Sequence, residues 1–229
     1  MKLGDTIRDG IFLERPNRYL AHVEVDGEKI SAHVPDPGRL PGLMIPERRV
    51  RLIYRPSPTR KTDYTLALVR HGSLWVSVYP VFANYIVGEA LENRKLEFFK
   101  DYRSFAPEVK EGKSRFDFRL DFKDETLFLE VKSVSLVEKS LGKFPDAPTE
   151  RGRKHLRELI ELKKRGFRAA VLFVSQRSDT RKITCNDEID PEFANQLRLA
   201  YKAGVELYGC NCRVTASAIS LNQPVPVVL

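Results

Sequence analysis

Cysteine is scarce in this 229-residue sequence, and the three present (Cys185, Cys210, Cys212) are an odd number, too few for a disulfide framework. Cys210-Asn211-Cys212 could contribute to a soft-metal site, but a closed zinc site takes four ligands, and the four histidines (His22, His33, His71, His155) are scattered. Buried structural thiols are therefore expected. No apolar run approaches the ~18 residues that a membrane-spanning helix needs. The opening MKLGDTIRDGIFLE has no apolar core of secretory-signal length, so a cytoplasmic protein is expected. Repeats and low-complexity tracts are absent. So are G-x-S-x-G, H-E-x-x-H and a dinucleotide fingerprint. Gly112-Lys113-Ser114 is not a phosphate loop, because Pro107 stands where that motif needs glycine and a strand follows where it needs a helix.

Charge, by contrast, is plentiful. Charged residues make up 31% of the chain, the net charge is +8 and the pI is about 9.4. Such a balance suits an anionic partner, nucleic acid foremost. A charge-rich, heat-adapted surface is the plainer alternative. The basic excess divides equally between residues 1–80 and 81–229, which suits a partner that touches both.

Hydrophobic patterning changes at Pro80. Before it come six short β-segments: IFLER (11–15), RYLAHVEV (18–25), KISAHV (29–34), VRLIYR (50–55), YTLALV (64–69) and LWVSVY (74–79). Asp26-Gly27 signals a hairpin, and Pro35, Pro37, Gly38, Pro41 and Gly42 mark a loop. This spacing predicts a small closed barrel, of the oligonucleotide-binding (OB) type or an SH3-like one. After it, VFANYIVGEALENR (81–94) reads as a helix with Phe82, Ile86 and Ala90 on one stripe. Strands at 114–122 and 126–133, a helix over about 150–165, a strand at 169–174, a helix at 191–204 and a strand at 205–210 complete an α/β layout with a mixed sheet.

Candidate chemistry sits on the pair SRFDFRLDF and TLFLEVKS. In the first, Phe116, Phe118, Leu120 and Phe122 should share one face, with Asp117, Arg115 and Arg119 on the other. In the second, Leu127, Leu129 and Val131 form one face, and the other turns from Phe128 to Glu130 and Lys132. A carboxylate and an ammonium at the end of a mostly buried strand need a partner. A mutual salt bridge would suffice. A divalent cation shared with Asp117 would also suffice, with the Val131 carbonyl as a further oxygen ligand and Lys132 either orienting the attacking water or stabilising charge on the scissile phosphate. Glu89, on the flank of the preceding helix, is a candidate third acid or a plain surface residue.

Helix acid, strand Asp, then Glu-x-Lys resembles the PD-(D/E)xK nuclease superfamily. FPDAPTERGRKHLREL (144–159), together with Ser114–Phe118, EVKS (130–133), RYLAHV and HVPDPGR (33–39), resembles the sugar fermentation stimulation protein A family over nearly the whole chain. The resemblance implies an α/β (α+β) two-domain protein: an OB-fold-like nucleic-acid-binding barrel at 1–80, then a PD-(D/E)xK nuclease-like domain at 81–229. It also implies DNA binding without strong sequence preference and a regulatory link to sugar (maltose) metabolism. Carried over by residue, Asp117, Glu130 and Lys132 are catalytic, and Glu89, Asp117, Glu130 and Val131 hold Mg2+ or Mn2+. Asp36-Pro37 stands where the family usually has Asn followed by a small hydroxyl residue, which argues against a phosphate contact there.

Around the 144–159 signature, Thr149 should cap a helix whose first turns carry Arg151, Arg153, Lys154, His155 and Arg157. Cations there oppose the helix dipole, so a phosphate is the expected partner and Arg115 joins the set; a solvated helix face with Glu150 and Glu158 as partners is the plainer alternative. In the barrel, Arg15, Arg18, Tyr19, His33 and Arg39 are the expected DNA contacts. A DNA-binding, metal-dependent nuclease is thus the leading expectation. The alternatives are a non-catalytic DNA-binding regulator on the same fold and a metal enzyme acting on a small phosphorylated molecule.

Overall fold

Asp26 and Gly27 both hold positive φ, 53° and 83°, the geometry of a two-residue hairpin turn. They join β2 (Leu20–Val25) to β3 (Glu28–His33), as the Asp-Gly pair predicts. The computed structural model describes residues 1–4, 6–40, 42–56, 58–112 and 114–229; Pro41 of the predicted loop and Lys113 of the rejected phosphate-loop motif lie outside the described residues. With β1 (Ile7–Asn17), β4 (Arg49–Tyr54), β5 (Tyr64–His71) and β6 (Leu74–Ser77), the hairpin forms a six-stranded sheet in the order β3-β2-β1-β4-β5-β6. A parallel pairing of β3 with β5 closes it into a barrel. Phe12, Val23, Leu52, Leu66 and Val76 fill the interior. The expected OB-like barrel is present.

Helix α1 (Phe82–Glu92) follows, then β7 (Ser104–Glu111), β8 (Ser114–Asp121), β9 (Thr126–Val134), β10 (Leu136–Glu138), β11 (Leu141–Phe144), α2 (Glu150–Lys164), β12 (Arg168–Ser175), β13 (Lys182–Cys185), α3 (Pro191–Lys202), β14 (Glu206–Val214), β15 (Ile219–Pro224) and β16 (Val227–Val228). The main sheet runs β15-β14-β12-β9-β8-β7, parallel across β9, β12 and β14 and antiparallel elsewhere. This is the predicted mixed sheet. A smaller sheet, β10-β11-β13-β16, lies beside it.

Six strands escape the sequence pattern. β7 carries Pro107 and three charged residues on a sheet edge, where neither face is buried enough to impose alternation. β10, β11, β13 and β16 run two to four residues, too short for a period to show. β15 is largely exposed.

Helix α1 covers one face of the main sheet and α2 with α3 cover the other. The α1 side is continuous with the outer wall of the barrel, since Ile53, Leu68 and Trp75 pack into the same core as Ile86, Leu120 and Leu129. Backbone bonds reinforce this junction: Ser77 N donates to Gln176 O at 3.1 Å, and Gln176 Nε2 donates to Tyr79 O at 3.0 Å. Residues at the amino end add to the β15 edge of the main sheet through a Lys2↔Ala218 bridge. All three cysteines are free and buried. Burial pushes the Cys212 thiol up to about 12 and that of Cys210 upward too, as structural thiols require.

One loop fixes the barrel against the second sheet at the mouth of a cleft. Asp36 Oδ1 accepts from Gly38 N at 2.8 Å, and Gly38 lies so close to Asp146 that a Cβ there would sit 1.8 Å from its Oδ2. A side chain at this position would displace the Asp146 carboxylate, which also accepts from Ser135 Oγ at 3.1 Å. Gly38→Ala should cost about 1–3 kcal/mol through overpacking, measured by urea unfolding; an unchanged midpoint would refute this close approach.

Candidate functional site

The β8–β9 ladder runs from Asp121↔Thr126 to Phe118↔Leu129 and then stops. Beyond that point a side chain replaces the backbone as acceptor. Asp117 Oδ2 takes the Val131 N–H at 2.6 Å, and its Oδ1 takes Asn84 Nδ2, from α1, also at 2.6 Å. The strands therefore splay at Asp117. Residues on either side confirm the break: Phe116 packs with the α2–α3 core, whereas Phe118 and Leu120 pack with the α1 core. The single apolar face predicted for Phe116, Phe118 and Leu120 is thus wrong, because alternation slips where the strand leaves its neighbour. Val131 uses its N–H towards β8, and in an extended strand the carbonyl of the same residue points to the same edge. That carbonyl accordingly faces the splay beside Asp117.

Glu130 and Lys132 belong to the opposite face of β9, as predicted, and that face is packed under α2. Glu130 is only 4% exposed. Lys132 Nζ donates to Glu130 Oε1 at 2.6 Å, and His155 Nδ1 of α2 donates to the same oxygen, because an ionised carboxylate can only accept. Burial works against the Glu130 charge, but Lys132 and His155 outweigh it and hold the carboxyl below its usual range. Asp117 has the reverse balance. Burial first, then the neighbouring Glu130 charge, push its carboxyl up to about 6 despite the Val131 and Asn84 bonds.

These groups line a cleft of about 590 Å³ between the barrel loop at Asp36-Pro37 and the 144–151 segment. Glu130 Oε2 is buried and has no hydrogen-bond partner. A carboxylate oxygen withdrawn from water without a donor is costly, and a cation at that oxygen would remove the cost. Asp117, Glu130 and the Val131 carbonyl therefore fit a hard, oxygen-preferring divalent ion. Among the described residues no three His, Cys, Asp or Glu side chains cluster as a metal site, so water or substrate oxygens would complete the shell.

Glu89 does not join them. Counted from Asn84 it lies about 140° further round the helix and some 7.5 Å along it. Its carboxylate is half exposed and pairs with the Met1 ammonium, beside a separate hollow of about 320 Å³ against β15. Asn84, a neutral amide invisible to a search for acids, is the residue that α1 sends to the cleft.

The comparisons with known proteins bear on the whole chain. Residues 13–78 match the SfsA N-terminal OB domain, and residues 81–218 match the sugar fermentation stimulation protein RE domain. The chain belongs to the sugar fermentation stimulation protein family. It is 43% identical over 230 residues to the homolog from Clostridium perfringens (strain 13 / Type A), and 42% identical over 229 residues to that from Caldanaerobacter subterraneus subsp. tengcongensis; both alignments cover 100% of each chain. A structure of Pyrococcus furiosus SfsA in complex with Ca2+ superposes with a TM-score of 0.89 at 27% identity, covering 100% of both chains.

In this family member the basic residues predicted to meet DNA divide into groups. Arg115, Arg151, Lys154 and Arg157 converge on one concavity next to the cleft. Thr149 caps α2 by accepting from Gly152 N at 3.0 Å, as expected. Arg153 turns away and pairs with Asp190 at 3.2 Å and Glu192 at 2.6 Å, so it ties α2 to α3. His155 is 5% exposed and is a partner of Glu130, which corrects its expected place among the surface contacts. Arg15 donates to the backbone oxygens of Arg18, Asp36, Gly38 and Arg39 and holds the barrel loop in place of a ligand.

Arg18 and Arg39 line a hollow of about 630 Å³ that shares Pro37, Asp146, Ala147 and Pro148 with the cleft. Tyr19 is 53% exposed, with the Arg18 guanidinium 5.9 Å from its ring. His33 is half-buried at the end of β3 and lines neither hollow. Asp36 is buried, and burial followed by Asp146 pushes its carboxyl up to about 6; it anchors the loop.

A further residue had no sequence signal. Gln176 Nε2 donates to Tyr79 O and to Ser133 Oγ, each at 3.0 Å. A carbonyl oxygen only accepts, so Tyr79 fixes which end of the amide faces Ser133. Ser133 Oγ is then an acceptor there, and its own proton is left to the cleft that it lines.

The packing of His155 against Glu130 is open to a direct check. His155→Ala removes one donor from a buried carboxylate and should cost about 3 kcal/mol or more, whereas Arg157→Ala, exposed on the same helix, should stay within about 0.5 kcal/mol. Urea unfolding at pH 7.5 measures both. Equal costs would show that the contact does not hold Glu130.

Proposed function

We propose that this protein binds DNA with little sequence preference and hydrolyses its phosphodiester bonds at a divalent-metal centre formed by Asp117, Glu130 and the Val131 carbonyl. The observation that carries this reading is the orphaned, buried Glu130 Oε2 beside Asp117 at the splayed end of two strands. The Ca2+ bound by the Pyrococcus furiosus relative supports a divalent cation in this chain as well. The OB-domain match and the net charge of +8 support a nucleic-acid substrate.

A divalent cation in such a site supplies an activated water and neutralises charge on the phosphate, with Mg2+ or Mn2+ as the expected ion. The chain's own groups do the rest. Lys132, held by Glu130, places an ammonium where charge develops on the phosphate. Ser133, which accepts from Gln176, can donate a hydrogen bond to a substrate oxygen. Asn84 and the Val131 N–H fix the rotamer of Asp117. A second reading, a DNA-binding regulator that keeps the fold without turnover, is favoured by one observation: Glu89 brings no third carboxylate to the cleft.

Incubation with single-stranded, duplex and branched DNA in Mg2+, Mn2+ or chelator separates the two. Cleavage should require metal and fall at least about a hundredfold in Asp117→Ala. It should also decline as pH drops through about 6, where the Asp117 carboxyl of the metal-free protein takes up its proton. Absence of cleavage throughout, or cleavage that survives in Asp117→Ala, sinks the catalytic proposal; DNA binding without cleavage supports the regulator.

A further inference from the structure

Next to the metal cleft, and sharing Arg151 with it, lies a second concavity of about 480 Å³ that His155 also lines. Its walls are Arg115 from β8 and Arg151, Lys154 and Arg157 from the first two turns of α2, with His155 at the back and Ser114 at the base of β8. Glu150 also lines it. The acid paired with Arg115 is Glu108 at 3.8 Å, too far for a hydrogen bond. Among the described residues Arg151 and Arg157 make no ion pair.

Four cations at the start of a helix raise the free energy of the empty protein. They repel one another and oppose the positive end of the helix dipole. That alone would describe a solvated basic face. Ser114 adds an independent observation. The residue is 6% exposed, and its hydroxyl is buried without any hydrogen-bond partner. An unused hydroxyl at the floor of a cationic hollow, next to a helix N-terminus, is the donor set that a phosphate oxygen accepts from.

We propose that this concavity is a phosphate-binding subsite, in which a phosphate group of a nucleic-acid strand is held by Arg115, Arg151 and Arg157 with the Ser114 hydroxyl beneath it. The inference rests on the reading above in that the ligand is a DNA strand, and it adds how that strand is positioned. Arg151 lines both this concavity and the metal cleft, and His155 separates them while holding Glu130. A phosphate seated here sets the register of the strand relative to Asp117. The phosphate is either an internal diester or the monoester at a strand end; the end group carries up to about two negative charges and so gains more from four cations.

Equilibrium binding in Ca2+, read by fluorescence anisotropy, tests this without requiring turnover. The probes are single-stranded oligonucleotides identical except for a 5′-phosphate, a 3′-phosphate or hydroxyls at both ends. Ser114→Ala and Arg157→Ala should each weaken binding about tenfold, and Arg157→Ala should flatten the salt dependence by about one phosphate contact. Ser114→Ala should leave the thermal midpoint of the DNA-free protein unchanged or raise it, because it deletes an unsatisfied buried hydroxyl. A weakening confined to one phosphorylated probe identifies a terminal phosphate, and a weakening shared by all probes identifies an internal one. Unchanged affinity for every probe in both variants overturns the subsite. Failure of the metal centre would appear separately, as DNA binding without metal-dependent cleavage.

Discussion

The cleft depends on one hydrogen bond that takes the place of a ladder bond. Where β8 and β9 should continue pairing, Asp117 Oδ2 accepts the Val131 N–H and the strands part. A backbone carbonyl in that position would leave a closed sheet with no opening. The side chain keeps the buried N–H satisfied, opens a gap and leaves the Val131 carbonyl facing it. Asn84 then locks the other carboxylate oxygen. The slip in side-chain alternation that sends Phe116 to the α2–α3 core and Phe118 to the α1 core follows from this break.

Around it the electrostatics are deliberately unequal. Two carboxylates enclosed in one cleft cannot both ionise cheaply. Glu130 is given an ammonium and an imidazole on a single oxygen, so it keeps its charge, while the other oxygen is left without a donor. Asp117 is given only neutral donors and holds its proton up to about 6. A cation between them would reconcile both. The basic residues of α2 extend this pattern outward, since the helix that brings His155 to Glu130 also carries the cations of the neighbouring concavity.

The barrel is not an appendage hung on a linker. Its outer wall shares a core with α1, and its 36–39 loop is fastened by Arg15 and pressed against Asp146 through Gly38. Gln176 belongs to both parts, accepting from Ser77 through its carbonyl and orienting Ser133 through its amide. The barrel and the cleft therefore stand in a fixed relation.

Much of this was legible in the sequence. Six strands and an Asp-Gly turn gave the barrel, and the alternation and length of later segments gave the mixed sheet, because burial on one face imposes a period that local sequence must obey. Glu130-x-Lys132 was visible as a charge pair on a strand too apolar to be solvent-facing, whereas Asp117, on a strand with ordinary alternation, stood out only as a candidate co-ligand of Glu130. Tertiary structure alone decided the remaining roles. Glu89 and Asn84 exchange places as the helix contribution, since a rotation of about 140° separates two residues five apart. Arg153, His155 and Arg15 read as surface cations, but their partners Asp190, Glu130 and the loop carbonyls lie many residues away. Ser133 and Gln176 had no signal at all, because a hydroxyl or an amide acquires a role only from the direction of its hydrogen bonds. Sequence determines which charges a strand or helix must carry inward; only the packed chain determines which charge meets which.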